Sequence, residues 1–312
     1  MLVLLKTYTA TTFDELFDGV SSILWEELIP ADAQFPVKGS SLSSTLSSVP
    51  ACQSIVKKAV VERLKKGHKT LMLPETGALY KIRFSIRKNV VEIMMDTSGD
   101  GLHKRGYRRN ATGAPIKETL AAAIADLGRV RRDSIVVDPF CGSGTMVIEA
   151  AQKAMNIAPG LRRRFAAEHY TFCPPEVWAR QREKALSEIR MDAAFEGFGY
   201  DIDPAAVALA TQNAKLAGVG ERCHFELADV RDFAPRPEMI VLTNPPYGER
   251  LGDLATAAKL AGVLGKALEE HPVTGAYIIT ADADLEKHLG KKANRRRKLY
   301  NGMIPCQVYM YF

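Results

Sequence analysis

The chain has 312 residues, enough for two domains with cores of their own, and 46% hydrophobic with 25% charged residues suits a water-soluble globular fold. Its five scattered cysteines lack Cys-x-x-Cys or Cys/His spacing, which argues against a disulfide framework or a metal site and points to reduced thiols in a cytoplasmic protein. No run is apolar and long enough for a membrane span, and the formal charge of +6 favours an anionic partner.

In chain order, Met1 to Leu5 reads as a strand. The first 36 residues are acidic, with Lys6 their single basic residue; residues 37–90 are basic, with only Glu62 and Glu75 opposing. Residues 53–66 predict a helix with Ile55, Val56, Ala59, Val60 and Leu64 on one side. Two alternating strands follow, Tyr80 to Arg87 and Asn89 to Asp96, turned at Lys88-Asn89. This is a small α+β unit. The pattern breaks near residues 97–115, so the expected domains are 1–98 and 99–312.

After the break, Pro115 opens a predicted helix to Leu127. Short apolar runs then end in polar residues: Ile135 to Asp138, Phe198 to Asp201, Phe225 to Asp229 and Met239 to Asn244. Helical stretches lie among them, including Met146 to Met155 and residues 205–216 and 254–270. That alternation predicts a doubly wound, mostly parallel sheet. Asn301-Gly302 predicts a tight turn and a closing antiparallel hairpin. Residues 156–195, with the triplet Arg162-Arg163-Arg164 and a helix from Trp178 to Ile189, read as an insertion that is either an RNA-contacting element or a packing extension, the second being the plainer reading.

Ligands of such sheets bind beyond the carboxyl ends of the strands. The first run passes into Asp138-Pro139-Phe140-Cys141-Gly142-Ser143-Gly144-Thr145, where glycines allow a ligand close to the backbone. It lacks the Gly-Lys-Ser/Thr ending of a P-loop, and Asp138 would repel a pyrophosphate. A cation with an amino acid end, such as S-adenosylmethionine (SAM), fits better. Asp201, with Ile202 beside it, is placed for ribose hydroxyls; Asp229 and Val230 suit the adenine amine and ring. Asn244-Pro245-Pro246-Tyr247 offers two oxygen acceptors on a stiff backbone, with an aromatic ring for stacking on a flat amine.

DPFCGSGT, GYDIDP, ADV and NPPYGERL together resemble class I SAM-dependent methyltransferases. More narrowly, the chain is similar to bacterial THUMP-domain RNA methyltransferases that modify guanine N2 in 23S rRNA, often described as N6-adenine-specific DNA methylases. LHKRGYR, residues 102–108, and APIKETLAA, residues 114–122, carry that likeness, as does VPACQSIVKKA, residues 49–59. The resemblance implies a Rossmann-like catalytic domain after a THUMP-like RNA-binding domain. Relative to that family, an N-terminal piece of the chain is expected to be missing. It also implies SAM as cofactor, held by residues 138–145, Asp201 and Asp229, with Asn244 to Tyr247 on the target base. RNA contacts are expected from Lys57, Lys58, Lys104, Arg105, Arg108 and Arg109, the partner being 23S rRNA or a ribosomal precursor. No metal is expected. Competing readings are a DNA adenine-N6 methyltransferase, a protein glutamine methyltransferase, and a non-catalytic RNA-binding assembly factor.

Overall fold

The computed structural model describes residues 1–108, 116–246 and 254–312, and the chain divides into two units. The first holds residues 1–101 together with 164–182; the second holds 102–163 and 183–312. The division is therefore not a single cut near residue 98.

In the first unit β1 (Leu2–Thr9) leads to α1 (Phe13–Ser21), whose Thr12 and Glu15 form a reciprocal capping box. A short helix α2 (Trp25–Leu28) and a strand β2 (Val37–Leu42) follow, and then α3 (Val49–Gly67), capped by Ser48. The hairpin β3 (Ile82–Arg87) and β4 (Val90–Asp96) turns at Lys88 and Asn89, both at positive φ. The sheet order is β1-β4-β3-β2, with β2 parallel to β3 across the α3 crossover. Val56, Val60 and Leu64 of α3 bury against Ile82, Phe84 and Ile93 of the sheet.

The inserted residues 164–182 belong to this core. Tyr170 stacks on Tyr80 with ring centroids 4.4 Å apart and donates its hydroxyl to the Asp96 carbonyl at 2.5 Å. Thr171 N–H returns a bond to the Tyr80 hydroxyl. Residues 164–182 thus extend the packing of the first unit, one of the two roles open to the insertion from its sequence.

The second unit begins with α4 (Glu118–Leu127), β5 (Ile135–Asp138) and α5 (Thr145–Ala154). Helix α6 (Pro175–Ser187) precedes β6 (Glu196–Asp201), α7 (Pro204–Ala217), β7 (Cys223–Leu227) and β8 (Met239–Thr243). The chain ends with α8 (Leu254–Glu270), β9 (Gly275–Thr280), α9 (Leu285–Leu289) and the hairpin β10 (Arg295–Asn301) and β11 (Ile304–Tyr311). Seven strands lie in the order β10-β11-β9-β8-β5-β6-β7. The five central pairing partners β9, β8, β5, β6 and β7 run parallel, while β11 pairs antiparallel with both β9 and β10.

Both faces of this sheet are covered, so its central strands read as continuous apolar runs. Val136, Ile240 and Leu242 pack with Ile124 of α4 and Val147 of α5. Their neighbours Val137 and Val241 face the other way, toward Ala261 and Leu264 of α8. The strand order reverses between β5 and β8. That is the topological switch point where a crevice forms at the strand ends.

Candidate active site

A run of hydrogen bonds links the carboxyl ends of four neighbouring strands. From β7 to β6, Ala228 N–H donates to the Asp201 carbonyl at 3.0 Å. From the β5 loop to β6, Cys141 N–H reaches the Tyr200 carbonyl at 2.9 Å, and Gly142 N–H reaches Asp201 Oδ2 at 2.9 Å. From β8 to β5, Thr243 Oγ1 donates to Asp138 Oδ1 at 2.6 Å. Asp138 and Asp201 are thereby tied into one row of strand ends, and Asp229 and Asn244 each follow directly on a bonded residue, Ala228 and Thr243.

Asp138 is buried, with 2% of its surface exposed. Burial pushes its carboxyl up to about 7, opposed by the bonds from Thr243 and the Phe140 N–H; the nearby Asp201 charge adds to the rise. A cation arriving beside it would favour the ionised form. Pro139 is buried behind it, and Phe140 is half-buried. The Cys141 thiol is pushed far up by burial and then by Asp138 and Asp201, so it is no nucleophile.

The glycine loop is built for close approach. Gly142 has φ +51° and Gly144 φ +77°, both in the left-handed region. A Cβ on Gly142 would meet nothing within 4 Å, which leaves open space above the backbone. A Cβ on Gly144 would lie 2.8 Å from the Phe225 ring, so here glycine is required by packing as well. Gly144 is the N-cap of α5 and gives it no side-chain cap, leaving Thr145 in a first turn whose N–H groups suit an anionic group. Asn213 Nδ2 of α7 holds the Ser143 carbonyl at 3.0 Å.

Asp201 accepts from Gly142 N–H and, through Oδ1, from Asp203 N–H at 3.0 Å. Ile202 next to it is 70% exposed, an apolar surface at the crevice edge. Asp229 lies two residues beyond β7 rather than at its end, and begins a 3-10 turn over Val230–Asp232. It accepts from the Arg231 N–H at 2.9 Å and pairs with the Arg231 guanidinium at 2.6 Å. That pairing draws the Asp229 carboxyl down to about 2, keeping it an acceptor. Val230 is buried; with Asp229, Pro139 and Tyr200 it lines a cavity of about 220 Å³.

Asn244 and Pro246 are partly exposed beside the buried Pro245, directly after β8. Tyr247 and Arg109 lie outside the described residues. Thr243, Asn213 and Phe225 were not singled out from sequence, because each acts through a partner distant along the chain. Thr243 precedes Asn244 in the motif, which was a usable signal.

Several expected RNA contacts are placed otherwise. Arg105 and Arg108 are turned inward: Arg105 pairs with buried Glu149 at 3.4 Å, and Arg108 with buried Glu118 at 3.0 Å. Tyr107 donates to Glu149 at 2.9 Å, and Arg108 Nη1 reaches Thr145 Oγ1 at 3.4 Å, tying this segment to the first turn of α5. Lys57 pairs with Glu75 at 2.8 Å and lies 3.4 Å over the Phe35 ring. Lys58 and Lys104 are exposed. Arg105, buried, and Arg108, half-buried, are thus held by carboxylates of their own unit.

The residues present fit SAM. An open cradle over Gly142, an uncapped helix start, a buried carboxylate for a cation, a carboxylate at the β6 end and an apolar edge at Ile202 match its parts. The family model of the RMKL-like methyltransferase domain matches residues 105–310. The chain belongs to the RMKL-like methyltransferase family. A THUMP domain model matches residues 10–96 of this methyltransferase. YpsC of Bacillus subtilis (strain 168), which carries the provisional name of RNA methyltransferase, is 43% identical over 99% of this chain and 81% of its own length. The ribosomal RNA large subunit methyltransferase K/L of Syntrophotalea carbinolica is 34% identical over 99% of this chain, which spans 45% of that longer protein. A crystal structure of SMU.472, provisionally described as a methyltransferase and complexed with S-adenosylhomocysteine (SAH), superposes with a TM-score of 0.89. It is 38% identical, with 100% of this chain and 83% of that one covered. SAH is what SAM becomes after giving up its methyl group. The RMKL-like methyltransferase is therefore a SAM-dependent enzyme.

Proposed function

We propose that this chain methylates an exocyclic amine of a base in RNA, and that the amine is guanine N2 of 23S rRNA or its assembling precursor in the cytoplasm. The observation that supports this reading is the linked row of strand ends, in which Thr243, the residue before Asn244, bonds Asp138 at the start of the glycine loop. An exocyclic amine is a weak nucleophile because its lone pair is delocalised into the ring. The Asn244 side-chain oxygen and the Pro245 carbonyl would accept hydrogen bonds from its two N–H groups and hold the nitrogen in its pyramidal form. Flanking prolines keep those acceptors from turning away. SAM supplies the activated methyl group; the chain supplies position and fixed dipoles. The amine grows acidic as it is alkylated, so water or a backbone carbonyl suffices to take its proton.

RNA as the substrate is supported by the THUMP domain, by the names of the relatives and by the basic balance of the chain. Residues 1–98 would serve as its RNA-binding domain. Guanine N2 is supported by the family resemblance. Mass mapping of rRNA nucleosides from cells lacking the gene tests the proposal. Loss of one N2-methylguanosine is the expected result. Loss of an N6-methyladenine from DNA, or of a methylglutamine from a protein, would replace it with a rival reaction. Unchanged methylation throughout would favour an assembly factor.

A further inference from the structure

At the opposite end of the second unit's sheet lies a cavity of about 810 Å³, lined among others by Arg129, Arg131, Arg295 and Arg297 with Tyr277 and Ile240. It opens at the amino ends of the parallel strands: Ser134 precedes β5 and Thr274 precedes β9, and both line it. The six residues of β9 alone set it about 20 Å from the cofactor crevice. Two arginine clusters more than a hundred residues apart in sequence meet here, brought together by α4's exit and the first residues of β10.

Ion pairing within the chain does not account for them. All four arginines are exposed, and among the described residues none of them forms an ion pair. Neighbouring Arg296 is held by Glu286, and Asp126, the acidic residue at the rim, is taken by Lys153. Positive charge is thus left uncompensated around a floor formed by buried Tyr277, Ile240 and Met310. Arg129 stands at φ +52°, where glycine is the usual occupant after a helix, so a side chain is kept there against a backbone cost. Forked guanidiniums in a row suit phosphates spaced along a strand.

We infer that this groove binds the phosphate backbone of the RNA substrate, at a stretch separate from the nucleotide being methylated. The inference rests on the RNA reading given above. It makes the catalytic unit a two-ended clamp: one end receives the base, the other holds flanking backbone and sets the register of the strand.

The test compares wild type with a variant carrying Arg129→Ala, Arg131→Ala, Arg295→Ala and Arg297→Ala, and with its four-lysine counterpart. A fluorescein-labelled 30-nucleotide mixed-sequence RNA is titrated across salt concentrations, and SAH affinity reports the fold. The alanine variant should bind RNA at least about tenfold more weakly, with its log–log salt slope shallower by about 3. SAH affinity should stay unchanged, and the lysine variant should keep most of the slope. Equal RNA affinity and slope in alanine variant and wild type would overturn the groove alone. Absence of salt-dependent RNA binding in wild type would instead overturn the RNA reading itself. Retained RNA binding with lost polyglutamate binding would assign the groove to an acidic protein and also overturn the inference.

Discussion

Asp138 gives the cofactor crevice a pH dependence of definite sign. Burial lifts its carboxyl from the ordinary 3.8 to about 7. Holding it ionised in the empty site therefore costs on the order of 4 kcal/mol. For the unliganded fold, this favours the protonated form: the contribution is full below the ordinary carboxylate range and is lost as pH rises through about 7. Ligand binding runs the other way, since the ammonium of the cofactor selects the carboxylate. Roughly a tenth of the empty sites are ionised at pH 6 and about nine tenths at pH 8, so affinity should rise about tenfold between them. Calorimetric titration with SAH, which keeps the ammonium, measures this directly. At pH 7 binding should also release about half a proton, read from buffers of different ionisation enthalpy. Asp138→Asn should bind more weakly and show no slope. A flat wild-type profile, or a slope that survives in Asp138→Asn, would refute the assignment of the cation to this carboxylate.

Three further outcomes are expected. Asn244→Ala should lower single-turnover methyl transfer at least about a hundredfold while leaving SAH affinity within a few-fold, because it misplaces the amine and not the cofactor; near-normal turnover would remove the motif from the reaction. Asp201→Ala frees the Gly142 and Asp203 N–H groups and deletes the expected ribose acceptor, so SAH affinity should fall about ten- to a hundredfold; an unchanged Kd would sink that role. Tyr170→Ala should destabilise the first unit by about 3–5 kcal/mol in urea unfolding, whereas Tyr170→Phe, which keeps the ring on Tyr80, should lose only about 1 kcal/mol. Equal losses would mean that the hydroxyl, not the stack, fastens residues 164–182.

The catalytic sheet was legible because strands buried on both faces leave an unbroken apolar run, and β5 and β8 are such runs closed by Asp138 and Asn244. Strand β2 left no such trace. Its Gly39, Ser40 and Ser41 have little preference for a strand, and only parallel pairing with β3 makes it one. Gly39 is there because a Cβ would press to within 2.4 Å of the Phe84 ring, a contact that no local pattern encodes. Helix α1 could have been read, since Thr12 and Glu15 form the capping spacing. In the site, the carboxylates announced themselves, but Thr243 and Phe225 became meaningful only once β8 and β7 stood beside β5 and β6.

The arginines carry the same lesson to its limit. A run of basic residues tells the sign of a charge but not its address. Arg105 and Arg108 are among the six residues expected from sequence to touch RNA, yet Glu149 and Glu118 draw them inward, where they brace the segment that reaches Thr145. Removing either carboxylate would leave a guanidinium buried and unpaired, which is far costlier than losing a surface pair. Arg129, Arg131, Arg295 and Arg297, by contrast, pair with no carboxylate among the described residues and remain at the rim of a cavity. Uncompensated charge is tolerated in a folded chain where solvent screens it and where a ligand of opposite sign has use for it. The arginines without partners, not the most densely clustered ones, are therefore where an anionic strand should be sought on this unit.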